Sequence, residues 1–191
     1  MAERPTLEEI RGVYRTADTL YHQSEVEAAI ERMARALTAK VGGKDPLFLC
    51  VLDGAIIFTG QLLPKLDFPL ELESVRVTRY GRSTRGQDLI WRYKPPVSLR
   101  GRTVVLLDDV LDEGITLAAL KDYCLEEGAG EVLIAVLVDK ELGQEKPCQA
   151  DIVGLRCPNR YLFGYGMDYK GYLRNAPGIF AVREMGSMTD D

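Results

Sequence analysis

Long unbroken apolar runs alternate along this chain with segments whose apolar residues recur at helical spacing. The runs are Leu47–Leu52, Thr103–Leu107 and Val132–Val138. Apolar side chains at consecutive positions predict strands covered on both faces, as in parallel sheets. Ahead of the first run, Ser24 and Glu27 form a capping-box pattern, and Val26, Ile30, Met33 and Leu37 share one helical face until Gly42-Gly43. After it, Asp53-Gly54 breaks the run, and Ala55–Leu63 reads as a short helix stopped by Pro64. Leu70–Thr78 and Leu89–Tyr93 are strand candidates on either side of a polar, glycine-containing loop, Tyr80–Asp88. A helix is expected from about Ile115 to Glu127, with Leu117, Leu120 and Cys124 inward and Gly128 as its stop. Ile152–Leu155, Tyr161–Phe163 and Ile179–Val182 are shorter strand candidates. This alternation predicts an α/β fold with a parallel sheet core flanked by helices. Ligands of such sheets bind beyond the carboxyl ends of the strands. That rule aligns Asp53-Gly54, Asp108–Thr116 and Lys140 on one rim.

Composition narrows the function classes. The 191 residues suit one domain, 46% are hydrophobic, and the net charge is −5. Nothing in that balance calls for nucleic acid or an anionic membrane. No apolar run has the length of a membrane span, and the first residues, MAERPTLEEIRG, lack a signal peptide's apolar stretch, so a cytoplasmic location is expected. Cys50, Cys124, Cys148 and Cys157 form no Cys-x-x-Cys pair and His22 is the only histidine, which leaves a zinc site poorly supported.

The densest chemistry lies in Val104–Leu117. A buried strand delivers Asp108 and Asp109, Asp112 follows, and Gly114, Ile115 and Thr116 open a helix. Backbone N–H groups at a helix start lack internal acceptors and carry partial positive charge, so they bind phosphate without a lysine. Glycine lets an anion approach the chain closely. Paired carboxylates suit ribose hydroxyls or Mg²⁺. A nucleotide-triphosphatase site would also need G-x-x-x-x-G-K-[ST], which is absent, and the acidic spacing fails a calcium loop. A merely solvated acidic turn would crowd three carboxylates without a partner.

The segment resembles the phosphoribosyl-pyrophosphate motif of the type I phosphoribosyltransferases: an apolar strand, two acidic residues, two apolar residues, Asp, a small hydroxyl residue, Gly, any residue, Thr. The resemblance implies that fold, with a core over about 45–155 and a small hood built from the N-terminal segment and about 156–185. Glu113 departs from the motif, standing where Thr or Ser is usual, and is expected to turn its side chain away and contribute its N–H alone. Over roughly residues 45 to 183 the chain is similar to the hypoxanthine–guanine branch. Leu52–Ala55 resembles the pyrophosphate-binding turn, often formed with a cis peptide, although Asp53 replaces the usual basic residue. Arg79-Tyr80 and the loop after them look like the lid that shields the reacting ribose. The resemblance makes Lys140 the donor to the purine 6-oxo group, Tyr161 the stacking ring and Leu162 a source of backbone contacts. It makes Asp168 a second metal ligand beside Asp108 and Asp109, and Arg174 a pyrophosphate contact.

These residues imply transfer of a 5-phosphoribosyl group from Mg²⁺-bound phosphoribosyl pyrophosphate to N9 of hypoxanthine or guanine, giving IMP or GMP, with Asp112 as general base. Family resemblance implies a homodimer or homotetramer. The competing readings are a xanthine-preferring or other nucleobase transferase, a nucleotide-sensing RNA-binding regulator on the same fold, and an α/β binding domain without activity.

Overall fold

The computed structural model describes residues 4–79 and 89–183, with only the backbone of Arg79 and Leu89. The elements run α1 Leu7–Thr16, β1 Asp18–His22, α2 Gln23–Val41, β2 Leu47–Val51, α3 Ala55–Leu62, β3 Glu71–Arg79 and β4 Leu89–Tyr93, then β5 Thr103–Leu111, α4 Ile115–Glu126, β6 Glu131–Glu141, β7 Ile152–Pro158, β8 Leu162–Phe163 and β9 Gly178–Ala181. A six-stranded sheet has the order β4-β3-β2-β5-β6-β7. All its pairings are parallel except β3 with β4.

The central strands are apolar through Leu47–Val51, Val104–Leu107 and Val132–Val138 because each face meets its own layer. Side chains alternate across a strand, so neighbours in sequence enter different cores. Phe48, Val105, Leu107, Leu133, Ala135 and Leu137 pack with α2 and α3. Leu47, Leu49, Val104, Leu106, Ile134 and Val136 pack with α4. At its carboxyl end β5 changes from apolar to acidic, and there the site begins.

A second, three-stranded sheet, β1-β9-β8, joins the amino-terminal segment to the last strands. Helix α1 lies against it, with Tyr14 edge-on to Phe163 and Phe180. Glu9 on α1 accepts from the Tyr169 hydroxyl and the Lys170 ammonium. These terminal segments form the small hood over the carboxyl rim. No helix among the described residues is long and apolar enough to cross a membrane.

Several boundaries differ from the sequence expectation. Helix α2 starts at Gln23, and Glu25, not Glu27, closes its first turn by accepting from the His22 N–H at 2.9 Å. Pairing of His22 with Gly178 in the hood sheet holds His22 extended and sets that start. Helix α1 carries no sequence expectation because Ile10 is its one buried residue. Most consequentially, β5 continues to Leu111 and β6 to Glu141, paired rung by rung as far as Leu111 with Asp139. Asp108 and Asp109 therefore belong to the strand, and Lys140 sits within β6.

Candidate functional site

Strand β5 places two adjacent carboxylates at the sheet's rim, and three residues, Asp112 to Gly114, separate it from α4. Gly114, the residue before α4, has φ +78°, a left-handed conformation that glycine adopts without cost from a side chain. Among the described residues, the N–H groups of Gly114, Ile115 and Thr116 find no hydrogen-bond acceptor within the protein. They border a recess of about 260 Å³ lined by the turn itself, from Asp108 to Leu117. A helix start with amides that have no acceptor among the described residues, beside an open recess, is an arrangement chemically suited to an anion. Glu113 is exposed at its edge.

Beside this recess lies a larger cavity, about 620 Å³, between the strand ends and the hood. Asp108, Asp109 and Asp112 line both. Gly54, Lys140, Tyr161, Leu162, Asp168 and Arg174 also line it, so residues from distant parts of the sequence converge on one space. Asp53 is not among them: its carboxylate turns to the Arg76 guanidinium, 2.7 Å away. What this turn brings to the cavity is Gly54, following a cis peptide between Leu52 and Asp53. Arg79 ends β3, and the lid expectation at Tyr80 lies outside the described residues.

Burial pushes the Asp108 carboxyl well above the usual carboxylate range, and the Asp109 charge adds to that shift. Asp109, 8% exposed, is also raised by burial, against an opposing pull from Asp108 and the charge of Arg174. Hydroxyl donors or a cation arriving beside the pair would favour its ionised form. No group of three or more His, Cys, Asp or Glu side chains among the described residues forms a ready metal cage. The donors fit instead a Mg²⁺ that draws most of its ligands from substrate phosphates and water. Asp168 faces the cavity with its oxygens engaged by Arg174 at 2.7 Å and by the Gly171 N–H at 2.6 Å. Arg174 also donates to the Gly166 carbonyl, 2.6 Å.

At the other end of the cavity, the Lys140 ammonium pairs with the Asp112 carboxylate at 2.8 Å. The lysine side chain is only 12% exposed, so the pair is shielded on one side. Tyr161 is half exposed and meets Tyr169 edge-on at 5.5 Å. Asn159, Arg160 and Met167 also line the cavity and carried no assigned role in the sequence. Arg160 adjoins Tyr161 and ties the hood together through Asp18 at 2.6 Å and the Val182 carbonyl at 2.9 Å.

Close backbone approach fixes this wall. A Cβ on Gly54 would run into the Asp109 carboxylate, and one on Gly166 would overlap the Gly54 carbonyl oxygen. Gly166 has φ +109° as well.

Residues 16–170 match the family model described as phosphoribosyl transferase domain. The chain is 32% identical to the hypoxanthine-guanine phosphoribosyltransferase of Streptococcus thermophilus over 166 residues, 86% of this chain and 92% of that one. It is 35% identical to the bifunctional protein TilS/HprT of Listeria innocua over 161 residues, 84% of this chain, and spans 25% of that longer protein. The solved hypoxanthine phosphoribosyl transferase of Trypanosoma cruzi superposes with a TM-score of 0.81 at 26% identity, covering 87% of this chain and 91% of the other.

Gly166→Ala should lower the melting temperature by several degrees, since it adds both a clash with Gly54 and left-handed strain, together worth roughly 1–3 kcal/mol. Thermal denaturation checks this; an unchanged melting temperature would contradict the close packing of hood on turn.

Proposed function

The chain belongs to the phosphoribosyl transferase domain family, and from that premise we propose that it transfers the 5-phosphoribosyl group of phosphoribosyl pyrophosphate to N9 of hypoxanthine or guanine, releasing IMP or GMP and pyrophosphate. One observation carries the reading: the free amides of Gly114–Thr116 and the Lys140–Asp112 pair open onto adjoining cavities that share Asp112. A phosphate site and a base site joined by one carboxylate suit a substrate with a sugar phosphate at one end and a purine at the other.

The 5′-phosphate accepts from the amides of Gly114, Ile115 and Thr116, while Asp108 and Asp109 accept from the ribose hydroxyls. Gly54 and Arg174 hold the pyrophosphate side. Tyr161 stacks on the purine, and Leu162 offers main-chain groups to its edge. Lys140 donates to the 6-oxo oxygen; a 6-amino group, itself a donor there, gives it no acceptor. Asp112 accepts the proton at N7 as N9 attacks the ribose carbon and the pyrophosphate departs. The Lys140–Asp112 ion pair holds both groups at the base site before the purine arrives. Mg²⁺, held by Asp108, Asp109 or Asp168 together with substrate oxygens, would offset charge on the departing pyrophosphate. Assembly as a dimer or tetramer and a cytoplasmic location belong to the same reading.

Pyrophosphate release, followed with Mg²⁺, phosphoribosyl pyrophosphate and each of hypoxanthine, guanine, xanthine, adenine and uracil, should be fastest with hypoxanthine or guanine. Release with none of the five, or a preference for adenine or uracil, overturns the proposal. Asp112→Asn should lower kcat by about 100-fold or more and leave the KM values nearly unchanged; turnover within a few-fold of the parent enzyme excludes the general-base role. Lys140→Ala should cost about tenfold or more in kcat/KM on 6-oxopurines relative to adenine. Unchanged kinetics on hypoxanthine and guanine would remove Lys140 from the base site.

A further inference from the structure

Lys146 belongs to none of the motifs above. It comes from the connection between β6 and β7 and does not line the site cavity. Its side chain is nevertheless only 10% exposed. The ammonium donates to the Leu111 carbonyl at 2.7 Å, the Lys140 carbonyl at 2.6 Å and Asp139 Oδ1 at 2.7 Å. An ammonium has three N–H donors, so these contacts use all of them. Arg156, 3.4 Å from Asp139 Oδ2, is the other cation on that carboxylate.

The location gives these contacts their meaning. Leu111 with Asp139 is the last rung between β5 and β6, and Asp112 and Lys140 stand one residue beyond it. Past that rung β5 and β6 no longer pair with each other, although β6 stays paired with β7 through Lys140–Cys157 and Glu141–Pro158. Lys146 supplies a tie between β5 and β6 beyond their last rung, one cation gripping the main chain immediately before Asp112 and at Lys140 itself. Its stem also packs against the phosphate turn: a Cβ on Gly114 would lie 3.5 Å from the Lys146 Cβ.

We propose that Lys146 is a positioning residue for the purine end of the site. It clamps the carboxyl ends of β5 and β6 so that the Lys140 ammonium and the Asp112 carboxylate stand at the spacing a 6-oxopurine requires, without touching substrate itself. This inference rests on the transfer reaction proposed above. Misplacement of a reacting group by about 1 Å can cost about 100-fold in rate, so a tie on the main chain beside Asp112 and Lys140 has leverage on the site.

The test compares Lys146→Met, Lys146→Arg and the parent enzyme in steady-state kinetics, with hypoxanthine and phosphoribosyl pyrophosphate varied separately. Lys146→Met should raise the hypoxanthine KM about tenfold and leave the phosphoribosyl pyrophosphate KM within about twofold, and Lys146→Arg should recover most of the loss. An unchanged hypoxanthine KM overturns the proposal. So does an equal loss on both substrates accompanied by a lower melting temperature, which marks general structural support. If Lys146→Met does not fold, Asp139→Asn decides: a hypoxanthine KM raised about threefold supports the clamp, and an unchanged one overturns it. A parent enzyme inactive on both hypoxanthine and guanine refutes the reaction and the inference with it. Normal parent turnover with unaltered variants refutes the inference alone.

Discussion

Three main-chain amides with no acceptor among the described residues govern the arrangement of this molecule. Buried N–H groups are almost always paired, and an open helix start is where the exceptions can be useful. Here a strand embedded in the sheet core delivers the turn, a left-handed glycine aims it, and α4 adds its dipole. The sheet provides the rigidity: β5 has a parallel partner on each side, so the turn is anchored at its root. An anion bound there would take its place from backbone geometry, so a net charge of −5 is no obstacle to the phosphorylated substrate proposed above.

The carboxylates make sense around that anchor. Asp108 and Asp109 are held close together in a partly dry setting that raises both above their ordinary range. In the proposed reaction a sugar with adjacent hydroxyls, or a cation carried by pyrophosphate, would relieve that tension. Asp112 lies farther along the turn and is paired with Lys140, so its charge is balanced before any base enters. The hood then closes the space through close backbone contact, Gly166 against Gly54, and brings Tyr161 and Leu162 opposite the strand ends.

Much of this was legible in the residues. The unbroken apolar runs identify the central strands because both faces of the sheet are covered. The turn from Asp108 to Thr116 carries its own chemistry in order, which is why its place at a helix start could be anticipated. Boundaries were less legible. Asp108, Asp109 and Lys140 looked like loop residues because charge usually ends a buried strand, whereas pairing between β5 and β6 carries the ladder past them. Asp53 looked like a turn residue facing the site, yet Arg76, 23 residues away, takes its carboxylate. Lys146 gave no local signal, since its role depends on which strand ends the fold brings beneath it. Tertiary contacts of that kind cannot be read from spacing along the chain.

The most direct test is a titration of the ¹⁵N-labelled protein with IMP, followed through backbone amide shifts. Saturable downfield movement of the Gly114, Ile115 and Thr116 N–H signals is expected, since each gains a phosphate oxygen as acceptor. Binding of IMP that leaves those signals in place while others move would contradict the account at its root.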